Sequence, residues 1–308
     1  MSTAHDRISA VKSRQIALAA VAAAAAALSA CSTNASPKAW DSGAPSPVAA
    51  ETPEWISVPW MKVNANAAGD QFGGVPTPGI VIAQENGTDP YLCTLGVAVR
   101  TTIGPGFLTA GHCNEHPGNE LHLYPSADIT GADSITLPSP YTDVSDSDGK
   151  PDPATGAATD HAVVPLPKLT PYATVIAGNY RVAGVFTTDA AKKLSVDTPI
   201  CFDGAVSGVR CGVVKGDDNG ALRFAAAPGA PTDTPFISKG DSGAAVFTVD
   251  SQKRVALVGL LSSGTKAGDI GWASYLDAAL GGVNAKAVLD SSATKFAGPS
   301  FSQRISTE

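Results

Sequence analysis

From residue 79 onward, short apolar runs alternate with turns rich in Gly, Pro and Asp. The runs 79–83, 91–101, 120–124, 134–137, 161–166 and 180–187 read as strands, and so do 199–202, 209–214, 222–226, 243–249, 255–262 and 270–275. Many short strands with frequent turns predict an all-β barrel or sandwich. Residues 275–280 alone carry a helical pattern, and Gly281-Gly282 ends it. The stretch 141–159 sets Asp143, Asp146, Asp148 and Asp152 around Gly149 and two prolines. It reads as a solvated surface loop, because a calcium loop needs a ligand spacing and a closing Glu that are missing. The tail after residue 289 is rich in Ser and Thr and is expected to fray. His122 and His161 alternate with apolar neighbours and are expected to face solvent.

Composition narrows the class. Of 308 residues, 44% are apolar and only 16% charged, so the chain is globular. The net charge is −7 with no basic block, which leaves nucleic-acid binding without electrostatic support. Arg7, Lys12 and Arg14 precede an apolar run, 16–30, that is mostly alanine and too short for a membrane span. It ends in Leu28-Ser29-Ala30-Cys31, which resembles the lipobox of bacterial lipoproteins. The resemblance implies cleavage before Cys31, a lipid on that residue, and residence on the outer face of the plasma membrane. A plain secretory signal with an incidental cysteine is the alternative; either one exports the chain. Residues 1–30 are thus read as signal and 31–73 as lipidated cysteine, tether and extension. A domain follows over 74–290, then a tail over 291–308. Trp55 and Trp60 suit an extension packed on the domain.

Five cysteines are present: Cys31, Cys93, Cys113, Cys201 and Cys211. With Cys31 lipidated, four remain for two disulfides in an oxidising compartment. Three pairings are open. The local ones, Cys93–Cys113 and Cys201–Cys211, each fall within one predicted lobe, and each bond would contribute about 2–4 kcal/mol.

The chemistry centres on Lys239-Gly240-Asp241-Ser242-Gly243, ahead of a buried apolar run. Glycines on both sides allow a tight turn that can aim the N–H groups of Gly240 and Ser242 at one point. That arrangement suits an oxyanion hole. A serine nucleophile needs a base near neutral pH, and the base needs a carboxylate to fix its tautomer. Thr109-Ala110-Gly111-His112-Cys113 delivers a histidine from a strand end, and Asp160-His161-Ala162 opens a buried strand with an aspartate. The order His112, Asp160, Ser242 is that of the chymotrypsin type.

These motifs resemble those of the chymotrypsin-fold serine proteases, most closely the bacterial streptogrisin and α-lytic-protease branch. Cys201-Phe202-Asp203-Gly204 with Arg210-Cys211-Gly212 looks like that branch's second disulfide loop, and Val258–Gly264 looks like its substrate-binding edge strand. The likeness runs from about residue 74 to 287. It implies two six-stranded antiparallel β-barrels with a short C-terminal helix and a site between the barrels. It implies Ser242 as nucleophile, His112 as base, Asp160 as orienting carboxylate, and the amides of Gly240 and Ser242 as oxyanion hole. Phe236, Ile237, Ser262, Ser263 and Gly264 would bind substrate, a peptide or protein. No cofactor or metal is implied, and the enzyme is expected to act as a monomer.

Several residues depart from that pattern. Ala244-Ala245 replaces Gly-Pro, and Ser238 stands where many members carry a cysteine. Phe202 occupies the place of an arginine that pairs with the aspartate before the nucleophile; Arg181 and Arg210 are the candidate replacements for Asp241. The segment after Cys31 is too short for a large folding pro-domain. Phe236, six residues before Ser242, carries no charge. A pocket based on it would favour small or medium apolar residues. Three other readings compete: a non-catalytic binding lipoprotein, an esterase on the same triad, and a zinc peptidase from His112-Cys113-Asn114-Glu115-His116. The zinc reading needs a helix there, which Gly111 and Pro117-Gly118 oppose.

Overall fold

The computed structural model describes residues 53–61, 75–87, 89–125, 129 and 133–307. The signal segment and Cys31 lie outside the described residues. Among the described residues no helix is long and apolar enough to cross a membrane.

The architecture is all-β, as the alternating runs predict. In the C-terminal half six strands close into an antiparallel barrel. Going round it, Pro199–Gly204 pairs with Gly208–Asp218, then come Ala221–Ala226, Ile270–Tyr275, Arg254–Gly264 and Ala245–Asp250, which pairs back onto the first strand. Closure removes exposed edges, so the strands of this half are buried on both faces over much of their length. That explains why they read as continuous apolar runs.

The N-terminal half is built from two antiparallel sheets around one core. One contains Tyr91–Thr94, Val81–Gln84, Leu121–Tyr124 and Ile135–Leu137. The other runs from Val97–Arg100 through Pro105–Thr109 and Ala158–Pro165 to Thr142–Pro151. Ile80, Ile82, Leu95, Phe107, Leu121, Leu123 and Val164 pack between them. The apolar run 91–101 is therefore two strands rather than one. The chain crosses between sheets at Leu95-Gly96, where a Cβ on Gly96 would lie 2.3 Å from the Gly243 carbonyl.

Three other expectations are corrected. The acidic stretch 141–159 is not a loop: Thr142–Pro151 pairs with Ala158–Pro165 across two register shifts. Its side chains stay solvated, which is what their charge reports, but its backbone finds a ladder. Thr188–Lys192 is an additional short helix whose start is capped by the Thr187 side chain, which accepts from the Ala190 amide. The tail is packed, not frayed. Phe296 and Phe301 are buried and stacked, and Ile305–Ser306 adds in parallel to Lys286–Val288. The helix Leu276–Gly282 is where the pattern places it. Trp55–Ile56 pairs with Ala245–Asp250, and the Trp55 ring meets Phe186 and Phe296, so the extension does dock on the domain.

A buried ion pair holds the tail to the barrel. The Arg254 Nε donates to Asp250 Oδ2 at 2.8 Å, both residues being nearly inaccessible. The guanidinium also lies 4.5 Å from the Phe296 ring centroid and donates to the Thr294 carbonyl. Asp250→Ala would leave this buried cation without its carboxylate. The expected cost is about 3 kcal/mol, read as a drop in the urea midpoint.

Candidate active site

Asp160 stands on Ala158–Pro165 with its carboxyl almost fully buried. Burial alone would penalise the charge, so the surroundings must supply donors. They do. Oδ1 accepts from the amides of Gly111 at 2.6 Å and His112 at 3.0 Å. Oδ2 takes His112 Nδ1 at 2.9 Å and the Ser262 hydroxyl at 2.5 Å. Burial pushes the acid up, but the hydrogen bond and charge of His112 and the Ser262 hydroxyl outweigh it, so Asp160 lies below its ordinary value. Burial would lower His112; the Asp160 hydrogen bond and charge reverse this and hold it above the ordinary histidine value. The two groups therefore stabilise each other's charged forms. An acidic partner on Nδ1 also leaves Nε2 as the free face of the ring.

The strand Pro105–Thr109 leads into a single 3-10 turn, Gly111–Cys113, which presents His112. Cys113 is bonded to Cys93, fixing that turn against Tyr91–Thr94. The second disulfide, Cys201–Cys211, joins directly opposed residues of the hairpin at the base of the barrel wall. Because Gly111–Cys113 is one short turn, His112 and His116 do not share a helix face, and the zinc-peptidase pattern lacks its helix. The sulfurs of Cys93 and Cys113 lie within 4.8 Å of a His112 ring nitrogen, but the disulfide occupies them.

Ser242 sits in the turn before Ala245–Asp250. Gly240 and Gly243 both have positive φ, +100° and +87°. At Gly243 a Cβ would lie 2.0 Å from Thr109 Oγ1 and 2.9 Å from the Ala110 amide. Only glycine allows this turn to press against the strand end that carries His112. The carbonyls of Gly240 and Ser242 both face Thr94, accepting from its hydroxyl at 2.8 Å and its amide at 2.7 Å. The amides of Gly240 and Ser242 donate to no acceptor among the described residues.

Asp241 locks the turn from below. Its Oδ1 accepts from the amides of Val206 and Ser207, and Oδ2 from that of Ser238 at 2.7 Å. Neither candidate cation is its ion-pair partner. Arg210 lies over the Trp60 ring, 4.8 Å from the centroid, and donates to the carbonyls of Val209 and Met61; Arg181 is exposed. Three amides replace the arginine. Burial still raises Asp241 above its ordinary value.

Ser262, Ser263 and Gly264 end the strand Arg254–Gly264. There it pairs with Ile270–Tyr275 on one side only, which leaves its other edge open beside Ser242. A cavity of about 260 Å³ lies between this edge and the 237–242 turn. It is lined by Ile237, Ser238, Lys239, Ser242, Leu261, Ser263, Gly264, Thr265 and Lys266. Phe236 does not line it. The ring is buried against Phe202, Phe224 and Trp60, because the backbone at 236 turns into the barrel and Ile237 takes the pocket side. On the other side of Ser263 a cleft of about 530 Å³ holds His112, Asp160, Ser262 and Ser274 with Asp146, Asp148 and Asp218.

No protein-family model and no curated protein matches this sequence. Solved structures similar in shape include Protease A of Thermobifida fusca, at 19% identity over 70% of this chain and 100% of that one, TM-score 0.45. The chymotrypsin of Cellulomonas bogoriensis is 18% identical over 70% and 98%, TM-score 0.43. Alpha-lytic protease homolog N4 is 17% identical over 68% and 98%, TM-score 0.41. At these values neither fold nor chemistry leans on the likeness; both rest on the sheets and side chains described above.

The sequence patterns missed two features. His161 is buried, not solvated, since Ala158–Pro165 is paired on both sides and covered on both faces; burial lowers its pKa. Asp203, two residues along the strand from Cys201, is fully buried. Neither carboxyl oxygen makes a standard hydrogen bond. Burial and the nearby charge of Asp241, offset in part by the Ala177 backbone, push it up to about 7. A raised carboxyl stabilises the fold only while protonated, so its contribution fades as pH rises from about 4 to about 7. Asp203→Asn removes that dependence. Between about pH 4 and pH 8 the variant should gain about 4 kcal/mol on the wild type in urea unfolding.

Proposed function

We propose that this chain is an exported serine endopeptidase, anchored through a lipid on Cys31 at the outer face of the bacterial plasma membrane. Ser242 attacks the scissile carbonyl, and His112 takes its proton and returns it to the leaving amine. Asp160 holds the imidazole in the tautomer that frees Nε2. The observation that carries this reading is the His112–Asp160 contact, buried, doubly capped by backbone amides and fed by Ser262. A structural histidine has no need of such a carboxylate, and a base does.

The unengaged amides of Gly240 and Ser242 support the oxyanion hole, since their carbonyls are tied to Thr94 on the far side. The open edge of Ser262–Gly264 supports docking of an extended peptide as an added strand. A long cleft running past His112 fits a peptide better than a small ester. The apolar preference expected from the sequence rested on Phe236 at the pocket base. With that ring in the core, the lining at Ile237, Leu261 and Gly264 supplies what apolar surface the pocket has.

Ser242→Ala should abolish peptide hydrolysis and fluorophosphonate labelling while leaving the unfolding midpoint unchanged within error; Asp160→Asn should lower kcat/KM by about 10³-fold or more. Labelling of the wild type at any residue other than Ser242, or none, sinks the mechanism. The base must be neutral to act, and His112 is held above the ordinary histidine value of about 6.5. The acidic limb of kcat/KM should therefore rise through a midpoint above that value, and a midpoint below it would contradict the His112–Asp160 coupling.

Cys31→Ala should move the protein from the membrane fraction to the soluble fraction without changing cleavage of short peptides. Wild-type protein recovered soluble, with an unmodified Cys31 by mass spectrometry, would rule out the anchor.

A further inference from the structure

We propose that the cavity beside Ser242 selects an acidic side chain, with Lys239 and Lys266 supplying the positive charge. The inference rests on the peptidase reading above, and names the residue whose carbonyl Ser242 attacks: Glu or Asp.

The cavity lies between the nucleophile turn and the open strand edge. The side chain of a peptide residue at the scissile carbonyl has to enter there, because the oxyanion turn and the pairing edge bound the same space. Its floor is Ile237. A Cβ on Gly271 would lie 2.3 Å from Ile237 Cδ1, and one on Gly264 3.2 Å from Ile237 Cγ2, so the isoleucine fills the gap between the two glycines. The cavity is thereby kept shallow. Around it stand Ser238 and Ser263, whose hydroxyls can donate, Thr265, whose hydroxyl is given to Asp269, and two lysines from different elements.

Neither lysine is engaged. Both are exposed, and neither has an ion-pair or hydrogen-bond partner among the described residues. Of the nearby acids, Asp241 is buried and Asp269 is an exposed carboxylate outside the cavity lining. Asp241 is buried beneath the turn and takes three amides, and Asp269 takes the Thr265 hydroxyl. No carboxylate lines the cavity. The contrast with the adjoining cleft sharpens the field. That cleft carries Asp146, Asp148, Asp160 and Asp218, and no basic side chain besides His112. A negative side chain is thus repelled from the cleft and drawn into the cavity. A Lys or Arg occupant would meet two like charges, and a neutral one would gain nothing from them.

The test compares tetrapeptide substrates that differ only at the residue before the cut: Glu, Gln, Leu, Ala and Lys. Glu and Gln match in shape, so their kcat/KM ratio isolates charge. Two screened pairs predict Glu over Gln on the order of tenfold at low salt, shrinking as salt is raised to about 0.5 M. Lys239→Gln or Lys266→Gln should each lower the ratio about threefold, and the double variant should bring it to about one. The pair Lys239→Glu with Lys266→Glu should turn the preference toward the Lys substrate. Equal rates on Glu and Gln, or a ratio unmoved by the lysine variants, overturns the proposal. Fluorophosphonate labelling reads the triad without occupying the cavity. A labelled enzyme with no charge preference sinks the lysine assignment alone, whereas absence of labelling and of all cleavage sinks the peptidase reading with it.

Discussion

Four hydrogen bonds converge on the Asp160 carboxylate, and they come from both halves of the molecule. Gly111 and His112 belong to the end of a strand in the N-terminal sheets; Ser262 belongs to the barrel. The Asp160 carbonyl, in turn, accepts from the Ser274 hydroxyl on another barrel strand at 3.0 Å. A buried carboxylate tolerates its charge only while each donor stays in place. The same interaction therefore fixes the imidazole and registers one half of the fold against the other. The His112–Asp160 contact and the tertiary assembly share one electrostatic requirement.

Beneath the Ser242 turn the logic is different. Asp241 is satisfied by backbone amides, which hold the 204–207 and 238–242 segments at set positions. Amides cannot neutralise the charge, and Asp203 is packed nearby with no better compensation. Two buried acids with no ion-pair partner among the described residues, and only the field of Arg210 acting on Asp241, weaken the fold as pH rises toward neutrality and leave the turn dependent on geometry. The turn is held by the Thr94 contacts and by Gly243 pressed against Thr109. With no ion-pair partner at Asp241 among the described residues, the turn depends on packing rather than charge.

The charge distribution around the site follows from which strand ends meet there. Lysines come from the Ser242 turn and from the turn after the edge strand. Aspartates come from the acidic strand Thr142–Pro151, from Ala158–Pro165 and from the end of Gly208–Asp218. Along the chain acidic and basic groups are interspersed and sum to a net charge of −7. Folding sorts them to opposite flanks of Ser263.

The all-β class, the short C-terminal helix, the two local cysteine pairs and the meeting of His112 with Asp160 were legible in the sequence. Each is a local signal: period-two patterning, a glycine stop, close cysteine spacing, or a side chain set by its immediate neighbours. Tertiary structure decided the rest, because the remaining signals depend on what lies across a gap. The run 91–101 breaks only because Gly243 approaches Gly96. The 141–159 stretch is polar enough for a loop, yet its backbone pairs with Ala158–Pro165, and composition does not report backbone pairing. The tail is held by Arg254 and by an aromatic cluster distant in sequence. Phe236 and Ile237 are both apolar neighbours, and only the direction of the backbone there sends the ring to the core and the isoleucine to the pocket.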